Sequence, residues 1–296
     1  MYINRAVLEV NGACNYSCQM CPQASGRDSS FLKKMSLDTF EDMLKQMRPN
    51  VVNLDGSGEA TLNNDLPKYI ELVKKYNAKS YVFSNGLKMR GQFMKNCVDA
   101  GLDFYRFSII GYNEETYRKW MNNSSFNWVL ENLYNMRDYS KDTFVSSYHL
   151  ILDNDKVDYE KEQYLRLSKG GPVEIWKMHN WSGVMESDRK GKKRSCGRPF
   201  SPDAVVRANG AVHPCCQVLG RDVEATLGNV HDNTFEEIWN GEAYEALREG
   251  HRTGNYPSYC ESCDFLLDDP EVLVFSNYAE ENKMNGASFS LKDYQM

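Results

Sequence analysis

The sequence has no apolar run approaching the roughly 20 residues that a membrane-spanning helix needs. Its first eleven residues lack the charged segment and apolar stretch of a secretory signal, so a cytoplasmic location is expected. Positive charge is not in excess: 35 Lys and Arg stand against 41 Asp and Glu, a formal net charge of −6. Non-specific nucleic-acid affinity comes from basic residues that neutralise phosphates, so this balance argues against a polyanion binder. One local exception is the run Arg189, Lys190, Lys192, Lys193 and Arg194, which reads as a solvated linker, with a docking patch for an acidic partner as the alternative. No glycine-rich phosphate loop, internal repeat or low-complexity segment is present. Histidine is scarce, five in all, which limits the metal sites that imidazole can build.

Cysteine, by contrast, is plentiful and grouped. The nine are Cys14, Cys18 and Cys21; Cys97; Cys196; Cys215 and Cys216; and Cys260 and Cys263. Clustered thiols in a reducing compartment point to metal or catalysis before disulfides. Three thiolates at the spacing Cys14-x3-Cys18-x2-Cys21 suit three corners of a [4Fe–4S] cubane and leave its fourth iron without a protein ligand. Structural zinc, the alternative, needs a fourth ligand, and no histidine lies near residue 21.

Up to about residue 185 the chain alternates between strand-like and helix-like patterns. Strands are expected over 6–10, 51–54, 81–83, 104–110, 144–152 and 173–178. Between them lie helical faces such as Leu37, Phe40, Leu44 and Met47, or Leu66, Tyr69, Ile70 and Val73. Six such units predict an α/β fold, a partial (β/α)6 barrel over 1–185 whose site lies at the C-terminal strand ends. Residues 186–270 read as a small cysteine-rich domain, with a hairpin at Asn209-Gly210 and a capping box of Thr234 with Glu237. The tail, 271–296, has no assignable pattern. Cys97 lies on an apolar helix face and is expected in the core.

The loop Cys14-Asn15-Tyr16-Ser17-Cys18-Gln19-Met20-Cys21-Pro22 resembles the signature of the radical S-adenosylmethionine (SAM) superfamily. That resemblance implies a cluster whose open iron chelates SAM and whose reduction yields a 5′-deoxyadenosyl radical. It places Met20 near the adenine. Ser57-Gly58-Glu59 resembles the family's Gly-Gly-Glu motif for the SAM amino group, Ser84-Asn85 its ribose contact, and Ser108 a serine that touches SAM. Relatives often pair an arginine with the SAM carboxylate; the matching position here holds Met121, with Arg118 or Lys119 as replacements.

Cys196, Cys215, Cys260 and Cys263, with Leu227-Gly228-Asn229-Val230 and Glu237-Ile238-Trp239-Asn240-Gly241, resemble the C-terminal SPASM/twitch extension of many radical SAM enzymes. The resemblance implies an auxiliary [4Fe–4S] cluster saturated by four thiolates and suited to electron transfer, with four-cysteine zinc as the alternative. Cys216 is left as an alternative ligand, a hydrogen-atom donor or a packed side chain. His149 and His179 are the titratable candidates near the last strand ends, and Tyr148 and Trp176 are either site or core aromatics. Three functions follow. The first is small-molecule oxidation or dehydrogenation, in which the auxiliary cluster accepts an electron; the spacing resembles that of twitch-type aminocyclitol dehydrogenases. The second is a peptide maturase that makes a crosslink or an epimer, less expected because the chain begins almost at its first strand. The third is a non-catalytic zinc-stapled binding protein. A flavodoxin- or ferredoxin-type reductant is implied for the first two.

Overall fold

Strand and helix alternate along most of the chain because the apolar spacing alternates between two and three to four. In this computed structural model, residues 2–268 and 272–278 are described. The strands are β1 (Arg5–Leu8), β2 (Val51–Asn53), β3 (Lys79–Ser84), β4 (Phe104–Ser108), β5 (Phe144–Ile151), β6 (Val173–Lys177), β7 (Asp203–Val206), β8 (Ala211–His213), β9 (Gly228–Asn229) and β10 (Leu273–Ser276). The principal helices are α1 (Leu37–Met47), α2 (Leu66–Lys75), α3 (Gly91–Asp99), α4 (Glu114–Met121), α5 (Phe126–Tyr139) and α6 (Val157–Ser168). Helix α1 shows how they form. The Ser36 side chain accepts from the Thr39 backbone N–H, and Phe40, Met43, Leu44 and Met47 recur on the buried face. Burying each of those side chains is worth about 1.5–3 kcal/mol, which far exceeds what the cap contributes.

Strands β1 to β6 pair in parallel and in sequence order, with helices between successive strands. This is the expected open α/β barrel. Helix α4 was not foreseen. It begins at a capping box between Asn113 and Thr116 and stops at Asn122, which takes the left-handed conformation. Its length, Glu114–Met121, and its polar outer face leave little apolar periodicity to read.

The sheet does not stop where the sequence changes character near residue 186. Strand β7 pairs in parallel with β1, and β8 and β9 extend the same sheet in antiparallel fashion. The β7–β8 turn is the Asn209-Gly210 hairpin, where Gly210 takes a φ of +86°. At the other edge, β10 pairs antiparallel with β6, so part of the unassigned tail is an edge strand. Residues 279–296 of that tail lie outside the described residues. Just after β10, Tyr278 packs with Val51, Tyr81 and Phe104 and donates to Glu174 at 2.7 Å. Arg106 is ion-paired to Glu174 and sits over the rings of Tyr81, Phe83 and Tyr148. These groups form the closed floor of the barrel.

The basic run 189–194 stays on the surface, with Lys190, Lys192 and Lys193 exposed, but three of its side chains bond back to the protein. Arg189 bonds Asp264 (3.3 Å) and the Met178 carbonyl (2.6 Å), Lys193 the Glu261 carbonyl (2.7 Å), and Arg194 the Asp268 carbonyl (2.7 Å). These bonds tie an otherwise solvated linker to the last cysteine turn.

Candidate active site

Above the floor, at the C-terminal strand ends, lies a cavity of about 320 Å³. Strand alternation decides which residues reach it. On β4, Arg106 and Ser108 line it while Tyr105 and Phe107 pack outward; on β5, Tyr148 and Leu150 line it. His149, between those two, therefore faces the other way. It is fully buried, bonded to the Ile109 carbonyl (2.7 Å) and Ser147 Oγ (3.1 Å) and stacked on Tyr164 of α6. Burial lowers its pKa to about 3. The expectation of His149 as a site residue is thus corrected: it is a neutral core histidine, one register position away from the cavity.

Cys14, Cys18 and Cys21 all line the cavity, on the loop that follows β1. Tyr16 anchors that loop: it is buried, and its hydroxyl meets those of Ser125 and Tyr117. Trp181 donates to the Met20 carbonyl at 2.8 Å from the opposite wall, and Cys18 Sγ lies 3.8 Å from Met121 Sδ. Burial, and then the neighbouring acidic groups, push the Cys14 thiol up to about 11, and Cys18 and Cys21 are raised as well.

The three polar motifs converge beside this loop. Gly58 has to be glycine, because a β-carbon there would lie 2.1 Å from the Asn11 carbonyl oxygen. Glu59 N–H donates to the Ala13 carbonyl at 2.8 Å, which holds the motif against the cysteine loop. The Glu59 carboxylate accepts from Thr61 N (2.9 Å), Thr61 Oγ1 (2.6 Å), Ser84 Oγ (2.7 Å) and Asn85 N (2.8 Å). Asn85 Nδ2 in turn donates to Asn15 Oδ1 at 2.9 Å. Met20, Ser57, Gly58, Glu59, Ser84, Asn85 and Ser108 therefore all border one cavity. The Ser57 hydroxyl itself is turned to Glu9. Arg118 and Lys119 are exposed and do not line the cavity, whereas Met121 does.

The second set lies beyond the opposite wall. Cys215 follows β8, Cys196 lies in the turn before Arg198, and Cys260 and Cys263 flank a short helical turn in which Cys263 N–H bonds the Cys260 carbonyl at 2.9 Å. All four are free thiols. Burial, together with the mutual repulsion of the group, pushes Cys215 up to about 12 and Cys263 to about 11. Four neighbouring thiols, one buried and three partly buried, are stable as thiolates only when a cation offsets their charge. A donor set of sulfur alone, without imidazole or carboxylate, fits an iron–sulfur cluster at both places. Thiolates of a cubane each bind a different iron and so stand farther apart than ligands of one ion. Among the described residues no three Cys, His, Asp or Glu side chains are grouped as ligands of a single metal ion.

Between the two thiol sets the cavity is lined by His179, Arg198, Cys216 and Phe265. His179 packs on Trp181 and Phe265, and burial with the nearby Arg198 and Arg189 lowers its pKa to about 3. Cys216 Sγ accepts from Arg198 Nη1 at 3.5 Å and from Gln217 Nε2 at 3.8 Å, and is a polar, cavity-facing thiol. Cys97 is fully buried in the core, as its helix face indicated.

Sequence reasoning missed Asp55. Asp55 and Glu59 are the acidic side chains among the residues lining the cavity. Glu59 accepts from Thr61, Ser84 and Asn85, whereas Asp55 accepts from Phe83 N–H at 3.0 Å. Burial raises the Asp55 pKa to about 7, against smaller lowering contributions from that bond and from Arg106. The signal was present: Asn53 and Asp55 are two apart at the end of β2, and both line the cavity.

Residues 8–161, more than half of the chain, match the radical SAM superfamily, and residues 196–264 match the SPASM iron–sulfur cluster-binding domain. The tungsten-containing aldehyde ferredoxin oxidoreductase cofactor-modifying protein of Pyrococcus furiosus is 22% identical over 319 residues, covering 88% of each chain. The crystal structure of BtrN in complex with AdoMet and 2-DOIA superposes with a TM-score of 0.58 at 17% identity, covering 89% of this chain and 93% of that one. Streptococcus suis SuiB bound to its precursor peptide SuiA superposes with a TM-score of 0.68 at 12% identity, covering 90% of this chain and 70% of that one. Among the described residues no helix is long and apolar enough to cross a membrane. An open three-cysteine loop at the mouth of a partial barrel, joined to a four-cysteine extension on the same sheet, is the architecture of a radical SAM enzyme with a SPASM/twitch domain, and to that superfamily the chain belongs.

Proposed function

We propose that the chain oxidises a small hydroxylated molecule by one hydrogen atom, one proton and one electron. The observation that carries this reading is the placement of Asp55, a carboxyl of raised pKa, in the same cavity as the three-cysteine loop and the Arg198–Cys216 wall.

Cys14, Cys18 and Cys21 are the residues to hold the first cluster, and Cys196, Cys215, Cys260 and Cys263 the second. Bound there with SAM, the first supplies a 5′-deoxyadenosyl radical that removes hydrogen from carbon, and the second supplies an electron acceptor. Glu59 offers a carboxylate to the SAM ammonium, its position set by Thr61, Ser84 and Asn85. Met20, Ser84, Asn85 and Ser108 surround the nucleoside. Asp55 takes the hydroxyl proton, since its pKa lies near neutrality, where a base is most effective. His179 stays neutral beside Arg198 and orients substrate by hydrogen bonding. The Arg198 guanidinium sits beside Cys216 and Phe265 and keeps the wall between cavity and second cluster positively charged.

The test is anaerobic purification with a flavodoxin, ferredoxin or dithionite reductant, an iron count, and assay of 5′-deoxyadenosine release with a panel of cyclic polyols and aminocyclitols. About eight irons per chain and a ketone product support the reading. A peptide crosslink or epimer formed in place of a ketone replaces it with the maturase, and a colourless zinc protein removes radical chemistry altogether.

A further inference from the structure

We infer that Glu9 is the positioning residue of the Ser57-Gly58-Glu59 motif and that its carboxylate ties the SAM site to the C-terminal iron–sulfur domain. The inference rests on the reading of that motif as the SAM-amine site. Glu9 follows β1 and is fully buried. One oxygen, Oε1, accepts from Ser57 N at 2.6 Å, from Ser57 Oγ, and from Gly58 N at 3.2 Å. The other, Oε2, accepts from Ala208 N at 3.0 Å, in the turn after β7. Gly56 completes the fit, because a β-carbon there would lie 2.5 Å from Glu9 Oε1.

Charge balance holds this carboxylate in place. Arg27, just past the cysteine loop, stands 3.7 Å from Glu9 and bonds the Asp222 carboxylate through Nε and Nη2, each at 3.2 Å. Its Nη1 donates to the Gly12 carbonyl at 3.1 Å. Arg207 Nε bonds His213 Nδ1 at 2.9 Å and lies 3.8 Å from Asp222. Two guanidiniums and two carboxylates thus form a buried, neutral network that spans the cysteine loop, the SAM motif and the C-terminal domain. Burial alone would raise the Glu9 pKa; Arg207 and Arg27 outweigh it and keep the carboxyl below its usual range. A glutamine has one acceptor atom, so either amide orientation turns its NH2 toward an N–H donor, of Ser57 and Gly58 or of Ala208.

The experiment is SAM titration of the anaerobically reconstituted full-length protein, followed by the electron paramagnetic resonance signal of the reduced cluster. For Glu9→Gln, iron content is retained, SAM binds roughly tenfold to a hundredfold more weakly, and the signal at saturating SAM differs from wild type. Arg207→Met removes, from the C-terminal side, the guanidinium that offsets the Glu9 charge and produces the same change to a lesser degree. The double variant loses less than the sum of the two free-energy changes, because both act through one network. Should Glu9→Gln fail to fold, Arg207→Met decides the question. If the variants that fold bind SAM within about twofold of wild type with an unchanged signal, the inference is overturned. Wild-type protein that does not bind SAM at all would instead overturn the site reading beneath it.

Discussion

The two thiol sets differ in how they are built. Cys14, Cys18 and Cys21 come from one short loop, and all three open onto the cavity. Cys196, Cys215, Cys260 and Cys263 are gathered from residues 196–263, and none of them is among the residues lining the cavity. A loop with three thiolates leaves one corner of a cluster open on the side where the cavity lies. Four thiolates drawn from distant segments saturate their cluster and, by closing long loops, also fasten the fold. The proposed function accordingly gives the first set the chemistry and the second the electron transfer.

That contrast breaks most sharply at the cysteines. Cys18→Ala abolishes 5′-deoxyadenosine release and lowers iron from about eight toward about four per chain, while leaving the melting temperature nearly unchanged. Cys260→Ala lowers iron to the same extent but retains SAM cleavage, loses substrate oxidation, and melts at a clearly lower temperature. If both variants behaved alike in SAM cleavage, the division of labour would be wrong. A smaller effect is expected at Asp55. Asp55→Asn slows substrate oxidation on the order of a hundredfold to ten-thousandfold while SAM cleavage continues. In the wild type the oxidation rate rises as pH increases through about 7, where Asp55 ionises, and the variant lacks that limb. A pH–rate profile of both proteins checks it.

The smallest effect compares buried histidines in the two regions. Burial lowers His149, in the barrel, to about 3 and His251, in the C-terminal region, to about 4. The folded state therefore binds fewer protons than the unfolded chain below the ordinary histidine value of 6.5. Stability is full above about 6.5 and declines as pH falls toward these lowered values. His149→Gln flattens the decline more than His251→Gln, as anaerobic melting curves between pH 7 and about 4.5 would measure.

Much of this was legible beforehand for identifiable reasons. The strands β1 to β6 are short segments rich in β-branched and aromatic residues set between helical patterns, and the cysteine spacings survive as local patterns. Helix α4 was not legible because it is short and mostly polar outside. His149 was misplaced because alternation along β5 puts neighbouring residues on opposite faces, and a shift of one position reverses the answer. Strand β10 was missed because Leu273–Ser276 is too short to stand out without β6 beside it.

The sequence by itself determined the local chemistry: three thiols within one loop, a carboxylate after β2 and an amide after β3, with a second cysteine set identified by its resemblance to the SPASM/twitch extension. Spacing along the chain carries such information because each group is only a few residues long. Tertiary structure alone decided which distant groups share a cavity. Asp55 facing that cavity, Cys216 against Arg198, Tyr278 in the barrel floor, and Glu9 between Ser57 and Ala208 all depend on strand order and register. Those contacts join residues dozens to hundreds of positions apart, and only the packing of the sheet brings them together.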